Sequence, residues 1–210
     1  MGRRDSSIAN AGASSDLPGP AMDVEQLIKK FQVKNLSEQD LVVLSGVHTI
    51  GLAHCLLFQK RIYNESDNLE PKFAQSKQRE CPLVGGDDNL SPLEFSTSTL
   101  FDNRFYIGLL QKQGLLHSDV ALLASNSTLD KVIEYANNQT RYFIDFPISM
   151  VKMGAIGVLT GENSIIRRNC HLVLLVWARC FGRIHKNTLM IFIFWARCFG
   201  QIHKNTLMIS

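Results

Sequence analysis

The chain has 210 residues, 45% of them hydrophobic, enough for one packed domain or a little more. Its net charge of +3 divides unevenly: residues 1–170 carry 17 Lys+Arg against 19 Asp+Glu, whereas residues 171–210 carry five basic residues and no acid. Five charges scattered through an apolar tail make no basic face, which argues against nucleic-acid binding, and the longest uninterrupted apolar run, residues 189–196, is far short of the ~18 residues of a membrane span.

In chain order, residues 1–17 are polar and lack an apolar h-region, so no signal peptide is expected there. Val24, Leu27, Ile28 and Phe31 have the spacing of a short amphipathic helix. Residues 37–55, SEQDLVVLSGVHTIGLAHC, begin with an S-x-x-D cap in which Ser37 and Asp40 satisfy free backbone N–H groups. Leu41, Val42 and Leu44 form the apolar face, Gly46 is read as a helix breaker that allows close backbone approach, and His48 follows. An imidazole presented there is either a hydrogen-bonded core residue or a ligand. Residues 56–71 read as loop.

Further along, Phe105, Tyr106, Leu109 and Leu110 mark a helix over residues 102–113 that Gly114 stops. Residues 127–143 form another, with Val132, Tyr135, Ala136 and Phe143 on the buried side, and Pro147 predicts a kink or a new helix start in the next segment. Almost nothing reads as a long strand, so the expected fold class is all-α. The tail repeats itself: WARCFGRIHKNTLMI from Trp177 recurs from Trp195 with a period of 18 and one difference, Arg183 against Gln201. Two copies are too few for a solenoid, and the preferred reading is an unrelated extension, with an amphipathic surface-binding element as the alternative.

Several ordered motifs carry a family resemblance: GRRDS from Gly2, LPGP from Leu17, DLVVLSGVHTIGLAHC from Asp40, FDNRFY from Phe101, GLLHSD from Gly114 and MVKMGAIGVLTG from Met150. Together they resemble the plant secretory (class III) haem peroxidases, with the central segment similar to their proximal haem-ligand signature. The resemblance implies a haem-peroxidase-like helical fold of which this chain holds the proximal domain only, over residues 1–170, followed by a non-family repetitive tail over 171–210.

It also implies chemistry. Haem b would be the cofactor, His48 its axial iron ligand, and Asp119 the carboxylate accepting the other imidazole proton; read from the residues alone, Asp119 is an ordinary helix cap or loop residue. Thr49, Glu94, Thr97, Leu100 (through its carbonyl) and Asp102 match the family's proximal calcium site, with Glu94 standing where Asp is usual; the alternative is a solvated turn capped by Thr97, Thr99 and Asp102. Pro18 falls where the family contacts aromatic donors, though a Pro in a loop also serves as a stiff turn. Cys55 and Cys81 occupy the places of a family disulfide, and Cys170 would end a second bridge.

The implied function is oxidation of phenolic donors by hydrogen peroxide, outside the cell or in the vacuole, and the sequons at Asn35, Asn64, Asn89, Asn126 and Asn138 suit secreted ancestry. No motif here resembles the family's distal His and Arg. Poor activity is therefore expected, the alternative being a non-enzymatic remnant or weak haem-binding fragment.

Overall fold

The computed structural model describes residues 4–6, 11–161 and 164–166. The tail repeat, Cys170, Cys180 and Cys198 lie outside the described residues. Two units are distinguished: Gly12–Ile156 makes up almost all of the described fold, and the other draws on both ends of the chain. In that second unit an antiparallel bridge joins Asp5 to Ile165, each N–H donating to the other's carbonyl at 3.0 and 2.9 Å.

The larger unit is mostly helical. After a 3-10 helix, Ala11–Asp16, come α1 (Val24–Val33) and α2 (Glu38–Ser45), then a 3-10 turn, Gly46–Thr49, that carries His48. Strand β1 (Leu52–His54) pairs antiparallel with β2 (Leu90–Pro92), Ala53 opposite Ser91, the only sheet among the described residues. Between them lie α3 (Gln59–Asn64) and α4 (Pro71–Glu80); α5 (Arg104–Leu110), α6 (His117–Ala121), α7 (Asn126–Asn137) and α8 (Gln139–Gly154) follow. No described helix is long and apolar enough to cross a membrane.

At the centre is α2, which packs against α1, α7 and α8. Its start is the predicted capping box: the Ser37 hydroxyl accepts from Asp40 N at 3.1 Å, and the Asp40 carboxylate accepts from Ser37 N at 2.8 Å. Leu41, Val42, Val43 and Leu44 are all buried, so the helix is apolar around its whole girth, a wider burial than the single face read from the sequence. The polar links to α8 are then few and specific. Asp40, itself buried, accepts from Ser149 Oγ at 2.6 Å and from Lys152 Nζ at 2.9 Å, and Gln39 donates to Asp145 at 3.1 Å. Burial alone would push the Asp40 carboxyl up; the hydrogen bonds from Ser149, Ser37 and Lys152 outweigh it and hold it down at about 2.

A second cluster of buried side chains, including Phe58, Ile62, Phe73 and Leu116, gathers α3 and α4 around the strand pair and is closed by a disulfide between Cys55 and Cys81, Cα to Cα 5.5 Å. This region corrects the loop expected over residues 56–71, which holds α3 and two 3-10 turns. The signal for α4 was present in Glu70-Pro71: the Glu70 side chain accepts from Lys72 N and Phe73 N, and Pro71 needs no partner in the first turn.

Two helix boundaries also differ. Residues 127–143 are not one helix, because Asn138 leaves helical geometry and caps α8 by accepting from Arg141 N at 2.9 Å. Phe143 therefore belongs to α8 and is partly exposed rather than buried. Pro147 neither starts nor ends a helix: α8 runs through it, and the carbonyl of Phe143, which loses its partner, is on a residue open to water.

Candidate functional site

His48 sits on the 3-10 turn that tightens the end of α2, and three neighbours fix its backbone. First, Gly46 is buried in ordinary right-handed geometry, and a Cβ there would lie 2.3 Å from Tyr106 Oη and 2.9 Å from Tyr142 Cε2. Gly46 caps the end of α2, as expected, and its lack of a side chain also admits two tyrosine rings, a role the sequence did not show. Second, Tyr106 donates its hydroxyl to the carbonyl of Val42 at 3.0 Å, one of the carbonyls the helix end leaves free. Third, Thr49, fully buried, donates to Asp102 at 2.8 Å.

The imidazole is held as well. His48 Nδ1 is 2.9 Å from Asp119 Oδ1, across 71 residues of sequence, and Asp119 is 2% exposed. Since the carboxylate can only accept, the neutral ring carries its proton on Nδ1 and its lone pair on Nε2. Burial alone would push the His48 pKa down; the charge and hydrogen bond of Asp119 outweigh it and leave the pKa raised. Among the described residues Nε2 has no hydrogen-bond partner, so the donor set fits an imidazole ligand for iron with its carboxylate already in place. Phe105 stands edge-on to the ring, centroids 6.0 Å apart.

The second cluster adjoins the first through Thr49. Asp102 accepts from Thr49 Oγ1, Thr97 Oγ1 and Arg104 N, each at 2.8–2.9 Å, and Thr97 Oγ1 is 3.3 Å from the Glu94 carboxylate. Glu94, 4% exposed, accepts from the backbone N–H groups of Ser96 and Thr97. Four of the five residues expected to ligate calcium thus form one continuous hydrogen-bonded set of hard oxygens, which is the donor chemistry calcium takes. Leu100 reaches it by its amide, which donates to Thr97 O at 2.8 Å. The alternative turn is present in part: Asp102 accepts from Arg104 N as expected, but the other capping group is Glu94, which is buried rather than solvated and was not among the expected caps.

Pro18 lies exposed in the loop before α1. That loop is tied to the site: Ser118, beside Asp119, donates its N–H to Pro20 O at 2.9 Å, and His117 pairs with Asp23 at 2.8 Å. Sequence reasoning missed the tyrosines at the end of α2 and the buried Lys77. Lys77, 1% exposed, donates to Glu80, Ser91 Oγ and Pro92 O, stitching α4 to β2.

The described fold is predominantly helical, and it brings His48 and Asp119 together beside the oxygen cluster at Asp102. The chain belongs to the peroxidase family, whose model matches residues 1–138. Similar proteins include a lignin-forming anionic peroxidase of Nicotiana sylvestris, 45% identical over 171 residues, peroxidase 4 of Vitis vinifera at 46%, and a basic peroxidase of Zinnia elegans at 44%. Each alignment covers 81% of this chain, which spans about half the length of these relatives, 53–54%.

Proposed function

We propose that this chain supplies the proximal side of a haem peroxidase, with His48 as the axial ligand to the iron of haem b and Asp119 as the group that orients and charges it. The observation that carries this reading is the 2.9 Å contact between His48 Nδ1 and the buried Asp119, which leaves Nε2 as a basic donor. Bound haem would supply the redox chemistry, with hydrogen peroxide as oxidant and small phenolic compounds as electron donors. The chain's own part is positional: α2 fixes the height of His48, Tyr106 and Tyr142 fix the turn, and Asp119 keeps the imidazole in one tautomer. Partial negative charge passed from Asp119 to the ring favours the oxidised iron.

Thr49, Glu94, Thr97, Leu100 and Asp102 are proposed to hold calcium, which would pin the residue next to His48. Pro18, tethered beside Asp119 through Pro20, is proposed to meet aromatic donors. Residues 1–170 are read as the peroxidase part and 171–210 as a non-family tail, with an extracellular or vacuolar location following from the family.

The same reading expects slow turnover from this chain by itself. The matched segment spans about half the length of these relatives, no motif here supplies a distal acid–base pair, and His117 is engaged with Asp23. Loss of general acid–base help alone lowers rates by about 10²- to 10⁴-fold. Haem titration followed at the Soret band is the test, comparing the chain with His48→Ala. Saturation at one haem per chain that depends on His48 supports the reading, and binding indifferent to His48 sinks it.

A further inference from the structure

A ladder of rings leads away from His48. Phe105 is 6.0 Å from the imidazole and 5.2 Å from Tyr106, which is 5.3 Å from Tyr135 and 5.2 Å from Tyr142, centroid to centroid. The three tyrosines are fully buried, and burial, the largest influence on each, pushes all three phenols up, so they rest neutral.

Their hydroxyls differ in the one respect that matters for oxidation. A phenol that loses an electron becomes a strong acid, and in a buried site it must pass its proton to a base or leave an unpaired cation in the core. Tyr106 donates to the carbonyls of Val42 and Val43, which take no proton. The Tyr142 hydroxyl has no partner among the described residues. Tyr135 donates to Asp145 Oδ2 at 2.9 Å, and Asp145, 4% exposed, is held in place by Gln39 Nε2 at 3.1 Å and Arg141 Nε at 2.9 Å.

We propose that Tyr135 is a redox-active tyrosine, the resting place of an oxidising equivalent delivered at His48, with Tyr106 as the relay and Asp145 as the proton acceptor. The link to His48 rests on the haem reading above; the chemistry of Tyr135 does not. In the step, Tyr135 gives one electron to haem that hydrogen peroxide has oxidised, which is thereby reduced by one electron. The phenolic O–H bond breaks and its proton joins Asp145 Oδ2, leaving a neutral phenoxyl radical beside a neutral carboxylic acid. A phenolic donor returns one electron, shedding its own proton to water, and Asp145 returns the proton to Tyr135. The device would store an oxidising equivalent that the haem would otherwise spend on damaging its surroundings.

The test begins with the haem-free chain and a photogenerated ruthenium(III) tris-bipyridine oxidant, read by the phenoxyl absorption and by EPR. Tyr63 and the two tryptophans give a background common to all variants. The expected result is loss of most tyrosyl signal in Tyr135→Phe, a lowered yield in Asp145→Asn that Asp145→Glu restores, and retention in Tyr142→Phe. Difluorotyrosine at position 135, which keeps the packing, should shift the hyperfine pattern. A signal undiminished in Tyr135→Phe and an unshifted pattern overturn the proposal. Peroxide then replaces the photo-oxidant in the chain shown by Soret titration to hold haem; a radical at Tyr135 that Tyr106→Phe diminishes supports the relay, and a radical elsewhere overturns it. A chain that takes up no haem overturns the His48 reading instead, and the photochemical result alone decides Tyr135.

Discussion

A single carboxylate does most to distinguish His48 from an ordinary core histidine. Asp119 is buried and aimed at Nδ1, so removing it costs the ring both its orientation and its basicity. Asp119→Ala is expected to weaken haem binding by about 10- to 100-fold, the usual effect of losing such an outer partner, measured by Soret titration. Asp40 has a different signature. Its folded pKa, about 2, lies below the ordinary carboxylate value, so its contribution to stability is complete above about pH 4 and is lost as pH falls through about 2. The size is about 1–2 kcal/mol, discounted because the Lys152 partner is half exposed to solvent. Asp40→Asn should remove that part of the acid sensitivity in urea titrations run at a series of pH values; an unchanged acid limb would show that Asp40 is not its source.

Among elements, the end of α2 decides where His48 stands. Gly46→Ala forces a methyl against Tyr106 and Tyr142, and the ring that moves also gives up its hydrogen bond to Val42. Overpacking of this kind costs about 1–3 kcal/mol, and we expect a loss at the upper end by denaturant unfolding together with a weakened haem titration. At the other end, Ser37→Ala should cost about 1 kcal/mol. Much of this element was legible in the sequence, because capping residues and an apolar run act locally. The position of Asp119 was legible only through family resemblance, since nothing local ties residues 71 apart. The helices after Cys55 were hidden because α4 buries only Phe73, Ala74 and the stem and ammonium of Lys77, a pattern that reads as polar. The break at Asn138 was hidden because Tyr142 continues the buried run of Val132 and Tyr135, and periodicity does not register a change of axis. Gly46 was legible as the end of the helix but its packing role was not, because the rings that exclude a side chain there come from 60 and more residues away.

For the molecule as a whole, two fastenings lie outside the main core. The disulfide closes 26 residues around α3 and α4, so its reduction should cost about 3 kcal/mol on chain-entropy grounds, checked by unfolding with and without reductant. The oxygen cluster at Asp102 should make thermal stability depend on calcium: at 100 times the dissociation constant the gain is about 2.7 kcal/mol, and Asp102→Asn should abolish it. Equal melting with calcium and with chelator would remove the proposed site. The complete burial of residues 41–44 has a temporal meaning too. A segment with no face toward water has no partial way to open, so its amides should exchange with solvent only when the whole core comes apart. The histidine at its end then inherits the lifetime of the entire fold: loops and surface helices can come and go around it, while the imidazole keeps its place until the molecule unravels.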